Sequence, residues 1–246
     1  HQLNPAVCTG IMTVERSPGA HRTRSLGHHH AQEDLLAAAL LSASALTLTA
    51  CGGSAESDKP VASVSSDVAT EKAATVLDQP FKKPDLVLTD TQGKKFDLRE
   101  RTAGKPTLIY FGYTNCPDVC PLTMSNIAIA KKALPKADQE KLQVVFVSTD
   151  PEHDTPEVLG SWLKGQDPDF IGLTGDFATI QGGARTIGIS IDEPTKDKNG
   201  KRVSMHGKQV IAFSPKDDAG YVMYGDDATA DDYQKDLPKL LTGAKP

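Results

Sequence analysis

The sequence predicts an α/β domain, a mixed central sheet flanked by helices, and three observations predict it. Residues 107–111 (TLIYF) and 143–148 (QVVFVS) are near-continuous apolar runs, as expected of strands buried on both faces. Pro121 and Pro156 each follow one of these runs and suit the first turn of a helix. Residues 210–213 (VIAF) and 221–224 (YVMY) flank a polar, Gly-ended stretch at 214–220, which reads as an antiparallel hairpin.

Taken in order, residues 86–89 and 95–98, joined across Thr91-Gln92-Gly93, predict a small N-terminal hairpin. The strand at 107–111 leaves through Gly112-Tyr113-Thr114-Asn115 into Cys116-Pro117-Asp118-Val119-Cys120-Pro121. A helix should start near Cys120–Pro121 and run to about Leu134, where Pro135 stops it. After the strand at 143–148, Thr155 is an N-cap with Pro156 at the first helical position, opening a helix to about Lys164. A strand at 170–173 and a helix from an Asp176 cap to about Ile187 follow, although Gln181-Gly182-Gly183 is poor helix sequence. Beyond the hairpin, a helix from about Thr229 closes the chain. The order strand, cysteines at a helix N-terminus, strand, helix, hairpin, helix is that of a thioredoxin-like fold with an added N-terminal β-hairpin.

Composition bounds the function. With 27 Lys+Arg against 32 Asp+Glu and no basic run, the net charge of −5 disfavours nucleic-acid binding, which depends on neutralising phosphates. At 38% apolar and 24% charged residues, the bulk of the chain is neither disordered nor a multi-span membrane protein.

The N-terminal segment has its own logic. Residues 1–50 are expected to be an extension and a signal peptide, because 35–50 (LLAAALLSASALTLTA) is uncharged yet too short and too rich in Ala, Ser and Thr for a membrane span. Its end, Leu48-Thr49-Ala50-Cys51, resembles the bacterial lipobox, in which cleavage leaves an acylated cysteine at the new N-terminus. Cys51 is therefore expected to carry a lipid anchor. Residues 51–79, small and polar, then form a flexible tether, and 80–246 the folded domain. The resulting location is the extracytoplasmic face of the cell membrane.

Of the four cysteines, Cys8 lies in the extension and Cys51 at the anchor, leaving Cys116 and Cys120 in the domain. Such a pair is a disulfide, a metal site, or both in alternation. A helix N-terminus favours the thiolate, the form that attacks disulfides and binds soft metals.

Residues 110–121 (YFGYTNCPDVCP) strongly resemble the Sco/SenC family of copper-binding cytochrome c oxidase assembly proteins, and 147–156 (VSTDPEHDTP) matches its second motif. His206 falls where that family's third copper ligand lies. The resemblance, over roughly residues 81–241, implies a metal site of Cys116, Cys120 and His206 that binds Cu(I) and Cu(II), with Cys116 and Cys120 also able to form a redox disulfide. Two thiolates and an imidazole suit Cu(I), and Cu(II) if an oxygen donor joins them, whereas zinc prefers a fourth strong protein ligand. By the same resemblance Asp150 is expected near the site, orienting His206 or lending an oxygen to Cu(II), with the capping of a loop as an equal alternative. His153 is read as part of an exposed turn, Asp118 as solvated, and Met205 as packing.

The function expected is that of a copper metallochaperone, not an enzyme, which matures the dinuclear copper centre of cytochrome c oxidase subunit II and takes copper from another extracytoplasmic carrier. Two other classes compete. A thiol–disulfide oxidoreductase would keep target cysteines reduced, but the three-residue spacing and the lack of a proline in Val203-Ser204-Met205-His206-Gly207 disfavour a general one. A thiol peroxidase would want a lone reactive cysteine instead of a pair beside a histidine.

Overall fold

The computed structural model describes residues 73–246, so the extension, the apolar run, Cys51 and most of the tether lie outside the described residues. The sheet is built from β1 (Ala74–Lys82), the hairpin β2 (Val87–Asp90) and β3 (Lys95–Asp97), and, after the short helix α1 (Leu98–Thr102), β4 (Thr107–Gly112). Helices α2 (Val119–Ala133) and α3 (Lys136–Lys141) lead to β5 (Gln143–Ser148); α4 (Pro156–Lys164) leads to β6 (Ile171–Thr174) and α5 (Phe177–Arg185). The two-residue strands β7 (Thr195–Lys196) and β8 (Arg202–Val203) precede β9 (Val210–Phe213), β10 (Ala219–Tyr224) and α6 (Ala230–Leu240).

The eight-stranded sheet runs β1-β10-β9-β4-β5-β6-β2-β3. Its centre is parallel, β4 with β5 and β5 with β6, while β9 runs antiparallel to β4 and the N-terminal hairpin extends the far edge. This is the mixed sheet of a thioredoxin-like fold with the expected hairpin added. Side-chain alternation on β4 explains why the whole run is apolar. Leu108 and Tyr110 enter one core with Cys120, Met124 and Ile127 of α2 and Tyr233 and Leu237 of α6; Ile109 and Phe111 enter the other with Leu98, Ile180 and Ala184.

The helix starts read from the sequence are where their caps put them. Thr155 accepts from Val158 N with Pro156 following, Asp176 accepts from Thr179 N, and Thr229 and Asp232 form a reciprocal capping box. The poor stretch Gln181-Gly182-Gly183 is nonetheless helical, and tertiary packing is the reason: a Cβ on Gly183 would come within 2.4 Å of Leu86 Cδ2, so only glycine lets α5 approach that closely.

Four features depart from the sequence reading. Residues 74–79, assigned to the tether, belong to β1, which pairs with β10 at Ala74–Val76 and again at Phe81–Lys82. Between these lies an unpaired stretch containing Pro80, which has no N–H to give the ladder. An interrupted, polar edge strand has no periodic signature. The elements α1, α3 and β7–β8 were likewise not expected, being too short to show a period.

Candidate metal centre

Gly112 ends β4 where Tyr110, Phe146 and the Cys120 sulfur converge; a Cβ there would sit 2.8 Å from Cys120 Sγ. The chain then turns, with Cys116 N donating to the Tyr113 carbonyl at 3.2 Å, and enters α2 at Val119. Cys116 and Cys120 thus lie across the first turn of a 15-residue helix whose N-cap, Asp118, makes no side-chain cap. Instead Cys120 N points at Cys116 Sγ, 3.5 Å away, so a sulfur occupies the place of the missing cap.

Both cysteines are free and buried, with 8% of Cys116 and none of Cys120 exposed. The hydrogen bond between them makes them unequal. Donation from Cys120, above all, then from the N–H groups of Asp118 and Cys120, holds the Cys116 thiol well below the ordinary range against the cost of burial. Burial, above all, then the partner sulfur, pushes the Cys120 thiol up. Tyr110, buried under α2, donates its hydroxyl to Cys120 Sγ at 3.5 Å.

A depressed thiol keeps its thiolate as pH falls, so its reactivity should persist where an ordinary cysteine loses it. Iodoacetamide is expected to label Cys116 at similar rates at pH 8 and pH 6, and Cys120 far more slowly, by mass-spectrometric mapping. Cys120 labelled first would contradict this ordering.

His206 arrives from the other end of the domain, on the loop between β8 and β9. Its Nδ1 lies 2.8 Å from the Gly207 carbonyl, an acceptor, so Nδ1 carries the proton and Nε2 is left with its lone pair. That Nε2 faces Cys120 Sγ at 3.5 Å. The ring is held edge-on by Tyr113 and Tyr110, with centroids at 5.4 Å and 6.1 Å. The two sulfurs and the imidazole nitrogen lie within 4.8 Å of one another, which among the described residues makes this the one group of three or more such side chains placed to hold a metal ion.

Asp150 is engaged by Arg202. Its carboxylate, fully buried, is not in the cluster and does not touch His206; it accepts from Nε and Nη2 of Arg202. The Asp-Pro-Glu-His-Asp segment is a turn with Glu152 exposed, as expected, but both of its aspartates are buried. Asp154 is also fully buried and accepts from Thr114 N at 3.0 Å, Thr114 Oγ1 at 2.6 Å, Ser148 Oγ at 2.7 Å and His153 Nδ1 at 2.9 Å. His153 therefore braces the cysteine loop through Asp154 and stands outside the metal-ligand group. Asp118 is exposed, as expected, whereas Met205, assigned to packing, is 64% exposed and belongs to neither core. Tyr110, Asp154 and Arg202 had no role in the sequence reading. The TDP and HDT contexts hint at buried turn carboxylates, but nothing in the sequence pairs Arg202 with Asp150.

Similarity searches agree with this geometry. A family model described as SCO1/SenC matches residues 73–242. The apo Sco1 protein from Thermus thermophilus is 33% identical, with a TM-score of 0.60 over 69% of this chain and 96% of that one. Bradyrhizobium japonicum ScoI, solved with copper bound, is 32% identical, with a TM-score of 0.56 over 66% of this chain and 98% of that one. The mitochondrial protein SCO2 of Saccharomyces cerevisiae is 36% identical over 107 residues, and the match spans 44% of this chain and only 35% of that protein.

Proposed function

The chain belongs to the SCO1/SenC family, and from that premise we propose that it is a copper carrier which holds the ion on Cys116, Cys120 and His206 and delivers it to the dinuclear copper centre of cytochrome c oxidase subunit II. The observation that carries the reading is the convergence of two sulfurs and an imidazole nitrogen within 4.8 Å. Two soft donors and one borderline donor, largely closed off from water, favour Cu(I) over hard cations. Cu(II) gains more from the imidazole and needs a further oxygen donor, a part for which the Asp150 carboxylate, committed to Arg202, is poorly placed.

Release is by ligand exchange. An acceptor thiolate replaces the three protein ligands in turn. Cys116, the more accessible and more readily ionised sulfur, forms the leaving edge; Cys120, at the floor, lets go last. The role is that of a carrier, with no bond of a substrate made or broken. The unequal thiols also support a subsidiary reading, thiol–disulfide exchange with Cys116 attacking and Cys120 resolving, which would keep the target's cysteines reduced. The lipid anchor at Cys51, the tether and an extracytoplasmic location complete the proposal on the strength of the lipobox-like run at 48–51.

Copper titration of the reduced protein, with the metal counted, is the test. One copper bound per chain, lost in a Cys116→Ser/Cys120→Ser variant, is the expected result. Binding unaffected by that double substitution would refute the assignment.

A further inference from the structure

We infer that Arg202 and Asp150 form a positioning pair that sets His206 over the cysteine helix, an inference that rests on the copper reading above. The segment carrying His206 has little backbone attachment to the rest of the domain. β7 and β8 form their own two-stranded sheet, separate from the eight-stranded one, and β7 is exposed. What fastens the arm before it reaches His206 is mainly side-chain chemistry. Arg202 grips the Asp150 carboxylate side-on, Nε to Oδ2 at 2.9 Å and Nε to Oδ1 at 3.1 Å with Nη2 also on Oδ1, and its Nη1 reaches Glu152 at 3.1 Å. Two residues on, Ser204 Oγ meets Thr149 Oγ1 at 2.7 Å and the Thr149 carbonyl at 3.1 Å. One backbone bond, Asp192 N to the Met205 carbonyl, closes the arm on itself.

The receiving end is rigid. Asp150 lies two residues beyond the end of β5; its N–H donates to Ser148 Oγ, and its carbonyl accepts from the N–H groups of His153 and Asp154. Thr149 N in turn donates to the Gly112 carbonyl, at the point where β4 delivers the cysteine loop. Arg202 therefore ties the imidazole's arm to the same strand ends that place the thiolates. A planar fork on a buried carboxylate fixes direction as well as distance, which a lysine cannot do.

Because two thiolates suffice for Cu(I) while Cu(II) depends on the imidazole, loosening the arm must separate the two oxidation states. The test is titration with Cu(I) and Cu(II), with thermal melting, of the wild type, Arg202→Gln, Arg202→Lys, and Asp150→Asn/Arg202→Gln, which avoids a buried unpaired carboxylate. His206→Ala serves as the reference for a lost imidazole. The uncharged variants should lose about 10–100-fold in Cu(II) affinity and shift the thiolate-to-Cu(II) band as His206→Ala does, with Cu(I) affinity near wild type and Arg202→Lys intermediate. If the uncharged variants do not fold, Arg202→Lys alone must show weakened Cu(II) and unchanged Cu(I) binding. Folded variants with wild-type Cu(II) affinity, or with equal losses for both ions, overturn the inference alone. A wild type that binds no copper overturns the copper reading beneath it.

Discussion

Oxidation of Cys116 and Cys120 to a disulfide is expected to abolish Cu(I) binding, and reduction to restore it. The two sulfurs already lie within 4.8 Å of each other, and closing them to the ~2.05 Å of an S–S bond consumes both thiolates at once. What remains is one imidazole, a poor site for a soft monovalent ion. The loss should far exceed the about 10–100-fold cost of removing a supporting hydrogen bond around a metal site. Cys120→Ser should behave similarly, because it also replaces the sulfur that contacts Tyr110 and His206. The check is competition for Cu(I) against a chelator, before and after treatment with a thiol oxidant. An oxidised protein that competes as well as the reduced one would contradict the account.

Asp154→Ala should cost the most stability of any polar substitution near the site. Its carboxylate is fully buried and accepts four hydrogen bonds, from Thr114 twice, Ser148 and His153. Each bond to a charged group is worth about 1.5–3 kcal/mol, and truncation leaves the donors unsatisfied as well. A loss of at least about 3 kcal/mol is expected, which for a domain of this size lowers the melting temperature by roughly 6–12 °C. Asp154→Asn, which can still accept, should lose less, and His153→Ala, which removes one donor and leaves the carboxylate paired, less again. Because Thr114 sits two residues before Cys116, copper affinity should fall with stability in Asp154→Ala. Melting curves of the three variants check this; Asp154→Ala melting with the wild type would refute it.

The central strands, α4 and the β9–β10 hairpin were legible because burial on both faces and Thr-Pro capping leave marks within a few residues. The helix α5 was expected in spite of its Gly-rich stretch, and the reason for Gly183 stayed hidden because that glycine answers to Leu86, far away in sequence. β1 was hidden because an edge strand broken at Pro80 needs no apolar alternation. At the site, the cysteine pair was visible in its spacing, but His206 is 86 residues from Cys120, and only the family resemblance linked them. Asp150 was placed near the site, but the partner that claims its carboxylate, Arg202, lies 52 residues away with no pattern to announce it.

X-ray absorption at the copper edge of the Cu(I)-loaded protein tests the central claim most directly, because it counts the atoms that touch the metal. Two sulfurs and one nitrogen are expected, the nitrogen disappearing in His206→Ala and staying in His153→Ala. A first shell without sulfur, or one whose nitrogen is lost with His153 and kept without His206, would contradict the account.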